Sequence, residues 1–127
     1  MRIIGHGIDV VEVARIKNEL VSHDQRWAER VCSPAERAEA DPEPVSSRYY
    51  AGRFAGKEAV AKALGTGFAK EITWRNIEIL QHPSGAPYVR LSSEALAYAI
   101  SLGITDWSIS ISHCGPITMA SVIAMGK

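Results

Sequence analysis

The sequence predicts an α+β fold: a small domain over residues 1–127, with an antiparallel sheet packed against a long helix. Three observations carry that class. Strand-like segments come in neighbouring pairs joined by turn residues, at Pro83-Ser84-Gly85 and at Gly115-Pro116, which marks antiparallel hairpins. Helical periodicities fall before and between these pairs, without the regular strand–helix–strand alternation of a parallel sheet. A chain of 127 residues is long enough for one domain and short for two.

The elements follow in order. Over residues 2–8, β-branched Ile3, Ile4 and Ile8 stand with Gly5 and Gly7, predicting a strand that another backbone approaches closely. Val13, Ile16 and Leu20 have helical spacing across residues 12–21, and a second helix is expected over 26–31. Ser33-Pro34-Ala35-Glu36 is a capping box with proline in the first turn, so a short third helix starts there. Asp41-Pro42-Glu43-Pro44 breaks it. The longest helix is expected over residues 46–64, stopped by Gly65-Thr66-Gly67. Its Ala51, Ala55, Ala59 and Ala63 recur every fourth position, a narrow stripe suited to close packing. Strands are predicted over 72–80 and 88–91, then a helix over 92–102 capped by Ser92 or Ser93 and stopped by Gly103. Alternation is cleanest over 107–113, and residues 117–124 supply its hairpin partner.

Composition excludes several functions. Fourteen Lys and Arg balance fourteen Asp and Glu, which argues against a broadly basic nucleic-acid binder. The hydrophobic fraction of 46% and charged fraction of 22% are those of a globular protein rather than a disordered one. Apolar runs such as residues 117–125 fall well short of the roughly 20 residues a membrane span needs. The first residues show no continuous apolar core of a secretory signal. Cys32 and Cys114 stand alone, without zinc spacing or a disulfide framework, so a reducing cytoplasm is expected.

Neutrality conceals opposed patches. Residues 46–70 hold Arg48, Arg53, Lys57, Lys62 and Lys70 against Glu58 alone, whereas residues 31–45 hold Arg37 against four carboxylates. Tyr50, Phe54, Glu58 and Lys62 share one helix face, with Lys57 beside them. A surface Glu58–Lys62 pair is one reading. A site for a phosphorylated ligand and its metal is the other, because Mg²⁺ takes one or two protein carboxylates and completes its shell with phosphate and water. Asp9 is the second carboxylate for such a site, and Asp9-Val10-Val11-Glu12 also reads as a helix cap. Gly65-Thr66-Gly67 is too short for a phosphate loop and reads as a helix stop. His113 ends a strand beside Cys114, but strand neighbours point to opposite faces, which disfavours a thiolate–imidazole pair. A phosphate or ribose contact and a structural histidine both remain open for His113.

Taken together, Gly7-Ile8-Asp9-Val10-Val11-Glu12-Val13, Ala51-Gly52-Arg53-Phe54-Ala55-Gly56-Lys57-Glu58-Ala59, Lys62-Ala63-Leu64-Gly65-Thr66-Gly67 and Ser110-Ile111-Ser112-His113 resemble the holo-[acyl-carrier-protein] synthase family, the small bacterial 4′-phosphopantetheinyl transferases. The resemblance implies Mg²⁺-dependent transfer of 4′-phosphopantetheine from coenzyme A to a serine of apo acyl carrier protein, releasing adenosine 3′,5′-bisphosphate. It implies Mg²⁺ on Asp9 and Glu58, and catalytic roles for Glu58 and Lys62. Arg53, Lys57, Lys62, Gly65 and His113 match coenzyme A contacts, and Arg15 with Arg26 matches the surface that meets the acidic carrier. A homotrimer with clefts at subunit interfaces is implied as well. The base stays open between Glu58, acting through a water, and a hydroxide on the metal. Gly56 departs from the commoner alanine, and Gly85-Ala86-Pro87 lacks the lysine often found there. A coenzyme A or nucleotide-binding module without transferase activity is the alternative reading.

Overall fold

The computed structural model describes residues 1–23, 25–42, 45–66 and 72–127. Strand β1 (Arg2–Glu12) leads into α1 (Val13–Ser22), α2 (Gln25–Val31), α3 (Pro34–Glu39) and the long helix α4 (Val45–Leu64). A 3-10 turn at Trp74–Asn76 precedes β2 (Ile77–Gln81) and β3 (Pro87–Leu91), followed by α5 (Ser93–Ser101), β4 (Ile104–Cys114) and β5 (Ile117–Gly126). The expected α+β class holds. Three strands form one antiparallel sheet in the order β1-β5-β4, and β2 and β3 form a separate two-stranded sheet.

Register decides which side chains meet α4. Gly5, Gly7, Asp9 and Val11 of β1 stand opposite Ala124, Val122, Ala120 and Thr118 of β5, which stand opposite Trp107, Ile109, Ile111 and His113 of β4. Residues paired across antiparallel strands share a face, so these twelve cover the helix side of the sheet. The alternate set includes Ile8, Val10 and Met119, all exposed. β1 carries a bulge between Ile3 and Gly5, and β4 carries one between Ile104 and Asp106.

Two missing side chains set the spacing of sheet and helix. A Cβ at Gly5 would lie 2.1 Å from the Ala63 carbonyl oxygen, and one at Gly7 would lie 1.9 Å from that of Ala59. Both are collisions with backbone, so β1 accepts α4 only as glycine. The alanine stripe answers from the helix: Ala51, Ala55 and Ala59 are fully buried and Ala63 nearly so. Gly56 serves this chain in a similar way, since a Cβ there would come within 3.0 Å of Ile79 Cγ1 and 3.3 Å of Ile109 Cδ1. Larger side chains fill the rest. Ile16, Val31, Val60, Ile77, Ile79 and Val122 are sealed in one core, each contributing roughly 1.5–3 kcal/mol by burial.

The local punctuation agrees with expectation at several points. Ser33 and Glu36 form the capping box, Gly65 ends α4 with φ +83°, and Gly85 and Gly115 turn their hairpins with positive φ. Two expectations are corrected. Asp9 lies inside β1, and Glu12 occupies the cap position of α1 without a side-chain bond, so the Asp9 cap does not form. The strand expected from residue 72 begins only at Ile77, because Trp74–Asn76 turns tightly with the Asn76 N–H donating to the Thr73 carbonyl at 3.1 Å.

A Gly7→Ala substitution should therefore destabilise the fold by about 2–3 kcal/mol, read from the urea midpoint, despite adding one methyl group. An unchanged midpoint would mean that α4 can lift from β1 freely.

Candidate functional site

Close packing of α4 on β1 brings together groups distant in sequence. Lys62 Nζ donates to the Ile8 carbonyl at 2.8 Å and to Asp9 Oδ1 at 3.2 Å, spanning more than fifty residues. Glu58, one turn before Lys62, lies on the same flank. Burial first, and the negative charge of Asp9 second, raise its carboxyl above its ordinary value, while Lys62 and Arg15 pull it down. Two carboxylates that repel across a partly buried flank, with one lysine attached, form an oxygen-only donor set. That set suits a hard divalent cation such as Mg²⁺. Among the described residues, no cluster of three or more His, Cys, Asp or Glu occurs, so such an ion would take its remaining ligands from substrate and water. Arg15 borders this flank, its guanidinium 5.1 Å from the centre of the Phe54 ring. Arg26, also exposed, lies on the neighbouring helix α2.

Arg53 and His113 are placed elsewhere. Arg53 precedes Glu58 by five residues, about 140° around the helix, and so leaves α4 on another flank. There it lines a cleft of about 190 Å³ with Arg48, Tyr49 and His113. Only 5% exposed, Arg53 stacks its guanidinium 4.2 Å above the Tyr49 ring and donates from Nε to the Ile79 carbonyl at 3.0 Å. Its Nη2 is buried without a hydrogen bond, the nearest acid being Glu39 at 4.0 Å. A buried donor left unspent is costly, and an anion entering the cleft would satisfy it. His113 Nδ1 shares a hydrogen bond with Thr118 Oγ1 at 2.7 Å, leaving Nε2 as its other polar atom. Burial first, then Arg48 and Arg53, hold its imidazole below the ordinary value.

Lys57 overturns an expectation. Its ammonium is fully buried and faces inward, away from any cleft. It donates to Glu36 Oε1 at 2.7 Å, to the Trp74 carbonyl at 2.9 Å and to the Ile77 carbonyl. Three protons meet three acceptors, and none remains for a phosphate. Glu36 was not among the expected residues. Its capping box was legible, but nothing local shows that the same carboxylate receives a lysine from another helix. In the sequence Arg48 contributes only to the charge excess, and its place beside His113 depends on the tertiary fold.

Gly65 also departs from a direct phosphate role, since its N–H is shared between the Ala61 and Lys62 carbonyls at 3.2 and 3.0 Å. Gly67 and Lys70 lie outside the described residues. Cys114 is exposed and stands opposite Ile117, while His113 stands opposite Thr118, so the two alternate across the sheet. A larger cavity of about 460 Å³, bordered by Leu20, Arg37 and Tyr50, holds none of the expected residues. Size alone does not select it over the clefts where charged groups converge.

Comparison with known proteins shows the family and the fold. Residues 5–112 match the model of the 4′-phosphopantetheinyl transferase superfamily. The chain is 46% identical over 122 residues to the holo-[acyl-carrier-protein] synthase of Solidesulfovibrio magneticus, covering 96% of this chain and 98% of that protein. It is 40% identical to that of Chlamydia pneumoniae, covering 98% and 99%. Among solved structures it is similar to the Helicobacter pylori holo-[acyl-carrier-protein] synthase in complex with coenzyme A, with a TM-score of 0.83, 36% identity, and coverage of 94% and 99%. The Neisseria meningitidis synthase gives a TM-score of 0.87 at 34% identity, covering 98% and 99%.

The depressed His113 fixes a sign for pH dependence. The unfolded chain binds this proton more readily than the native one, so the linked stability is present above the ordinary imidazole value. It is lost as pH falls through the folded-state value. In an NMR titration, Arg48→Ala should move the His113 midpoint upward; a midpoint that stays put would place Arg48 outside its field.

Proposed function

Because the chain belongs to the holo-[acyl-carrier-protein] synthase family, whose members move 4′-phosphopantetheine from coenzyme A to a serine of apo acyl carrier protein, we propose that its reaction centres on Asp9, Glu58 and Lys62. The joining of these three groups across β1 and α4 carries the reading. Asp9 and Glu58 would hold Mg²⁺, which when bound supplies Lewis-acid neutralisation of the coenzyme A pyrophosphate. Lys62, anchored to Ile8 and Asp9 with its side chain half exposed, would donate to a phosphate oxygen and stabilise charge on the leaving group. The carrier serine attacks in line. Its Oγ–P bond forms as the bond to adenosine 3′,5′-bisphosphate breaks, and positioning does most of the work. Glu58 would receive the serine proton through a water.

Arg53 and His113 serve a different part of the same donor. Coenzyme A carries a ribose 3′-phosphate apart from its pyrophosphate, and the unspent Arg53 Nη2 meets that need. The two charged clusters lie on different flanks of α4, so a donor molecule reaches both most simply when a second copy completes the cleft. A homotrimer fits this arrangement. The sheet face turned away from α4 offers Ile8, 49% exposed, and Val10, 53% exposed, for its interface. Arg15 and Arg26 present positive charge to the acidic carrier. No helix of the described residues is long and apolar enough to cross a membrane, and both cysteines are free, which suits work in the cytoplasm on fatty-acid synthesis.

Incubation with coenzyme A, Mg²⁺ and apo carrier protein should add one phosphopantetheine to the carrier by mass spectrometry, and chelation should stop it. Asp9→Ala and Glu58→Ala should each lower turnover by about a hundredfold or more. Coenzyme A binding without mass gain would favour the binding-module alternative. Arg26→Glu should raise KM for the carrier about tenfold in a salt-sensitive way and leave KM for coenzyme A unchanged. Equal shifts in both constants would remove Arg26 from the docking surface.

A further inference from the structure

The edge of β2 that faces away from β3 is satisfied largely by side chains. Lys57 Nζ donates to the Ile77 carbonyl, Glu36 Oε2 accepts the Ile79 N–H at 2.8 Å, and Glu39 Oε2 accepts the Gln81 N–H at 3.1 Å. The Ile79 carbonyl points the same way and accepts from Arg53 Nε. Glu36 Oε1 closes the circuit, taking the Ser33 N–H at 2.9 Å and the Lys57 ammonium at 2.7 Å. A continuous path thus runs from Lys57 through Glu36 and Ile79 to Arg53. Every group around the Glu36 carboxylate is a donor. An ammonium with three fixed acceptors and a carboxylate with three fixed donors leave β2 one position along α3 and α4.

We propose that Glu36 and Lys57 are positioning residues for coenzyme A: they fix Ile79, whose carbonyl aims the Arg53 guanidinium into its cleft. The proposal rests on the reading of Arg53 as a coenzyme A contact. Arginine holds an anion well when its fork is preorganised, because less side-chain entropy is then lost on binding. Tyr49 supplies one constraint by stacking and Ile79 the other by hydrogen bonding. The buried pair controls the second.

Glu36→Gln tests this with almost no change of shape. An amide must set its own N–H₂ group against one of three donors, so the Ile79 edge shifts. KM for coenzyme A should rise about five- to tenfold, while kcat and KM for the carrier stay within about twofold. In an Arg53→Ala background the same change should add nothing to KM for coenzyme A. The paired Glu36→Leu/Lys57→Met variant removes both charges, avoids an uncompensated buried ion, and should show the same donor-specific loss if Glu36→Gln fails to fold. Equal losses in kcat and both constants would overturn the proposal, as would an additive effect in the Arg53→Ala background. An unmoved KM for coenzyme A in Glu36→Gln, with a wild type that transfers normally, would sink this proposal alone. Absence of transfer by the wild type would overturn the underlying reading as well.

Discussion

Helix α4 rests on β1 at a separation that leaves room for a hydrogen and nothing larger at Gly5 and Gly7. The meeting of Asp9, Glu58 and Lys62 depends on that contact. Were the helix a few ångströms higher, Lys62 could not reach both the Ile8 carbonyl and Asp9, and Glu58 would not feel the Asp9 charge. Small residues weaken a strand and a helix locally. Here the loss is offset by a joint in which two backbones, rather than two layers of side chains, define the distance between Asp9 and the Glu58 and Lys62 side chains.

A second device sets the same helix about its own axis. The Glu36–Lys57 pair is sealed from water, where removing one partner costs about 3–5 kcal/mol while replacing both with apolar groups is often neutral. Such a pair adds little net stability. What it adds is direction, since five hydrogen bonds of fixed position admit few other arrangements of α3, β2 and α4. Sequence neighbours therefore have opposite fates: Lys57 is consumed by the core and Glu58 is left to the cleft.

How much of this was legible in the sequence depends on range. Glycines in β1 and alanines in α4 announced close packing, because each signal is periodic along one segment. The Ser33–Glu36 capping box and the hairpin turns are likewise local, and the structure contains them. Asp9 was equally legible as a helix cap and as a ligand, because the run to Glu12 meets the cap pattern; continued pairing with β5 keeps it in the strand instead. The resemblance implies a phosphate contact for Lys57, and its burial is not legible locally because its partner Glu36 lies on another helix. Trp74–Asn76 looked like a strand by composition, yet the tight turn there is what presents the Trp74 carbonyl to Lys57. Family resemblance named the Arg53 and His113 positions, but their separation from Glu58 needed three dimensions.

The bulge between Ile3 and Gly5 acts as a parity switch. Arg2 and Ile3 pair with Gly126 and Met125, and the strand then resumes with Gly5 against Ala124, so Ile4 is the extra residue. Had β1 run on without the bulge in the register of Arg2 and Ile3, its faces would be exchanged. His6 would take the place of Gly7 opposite Val122, Ile8 that of Asp9 opposite Ala120, and Asp9 would turn to the opposite surface of the sheet, with the composition unaltered. One unpaired residue between Ile3 and Gly5 thus decides which side of the sheet carries the Asp9 carboxylate.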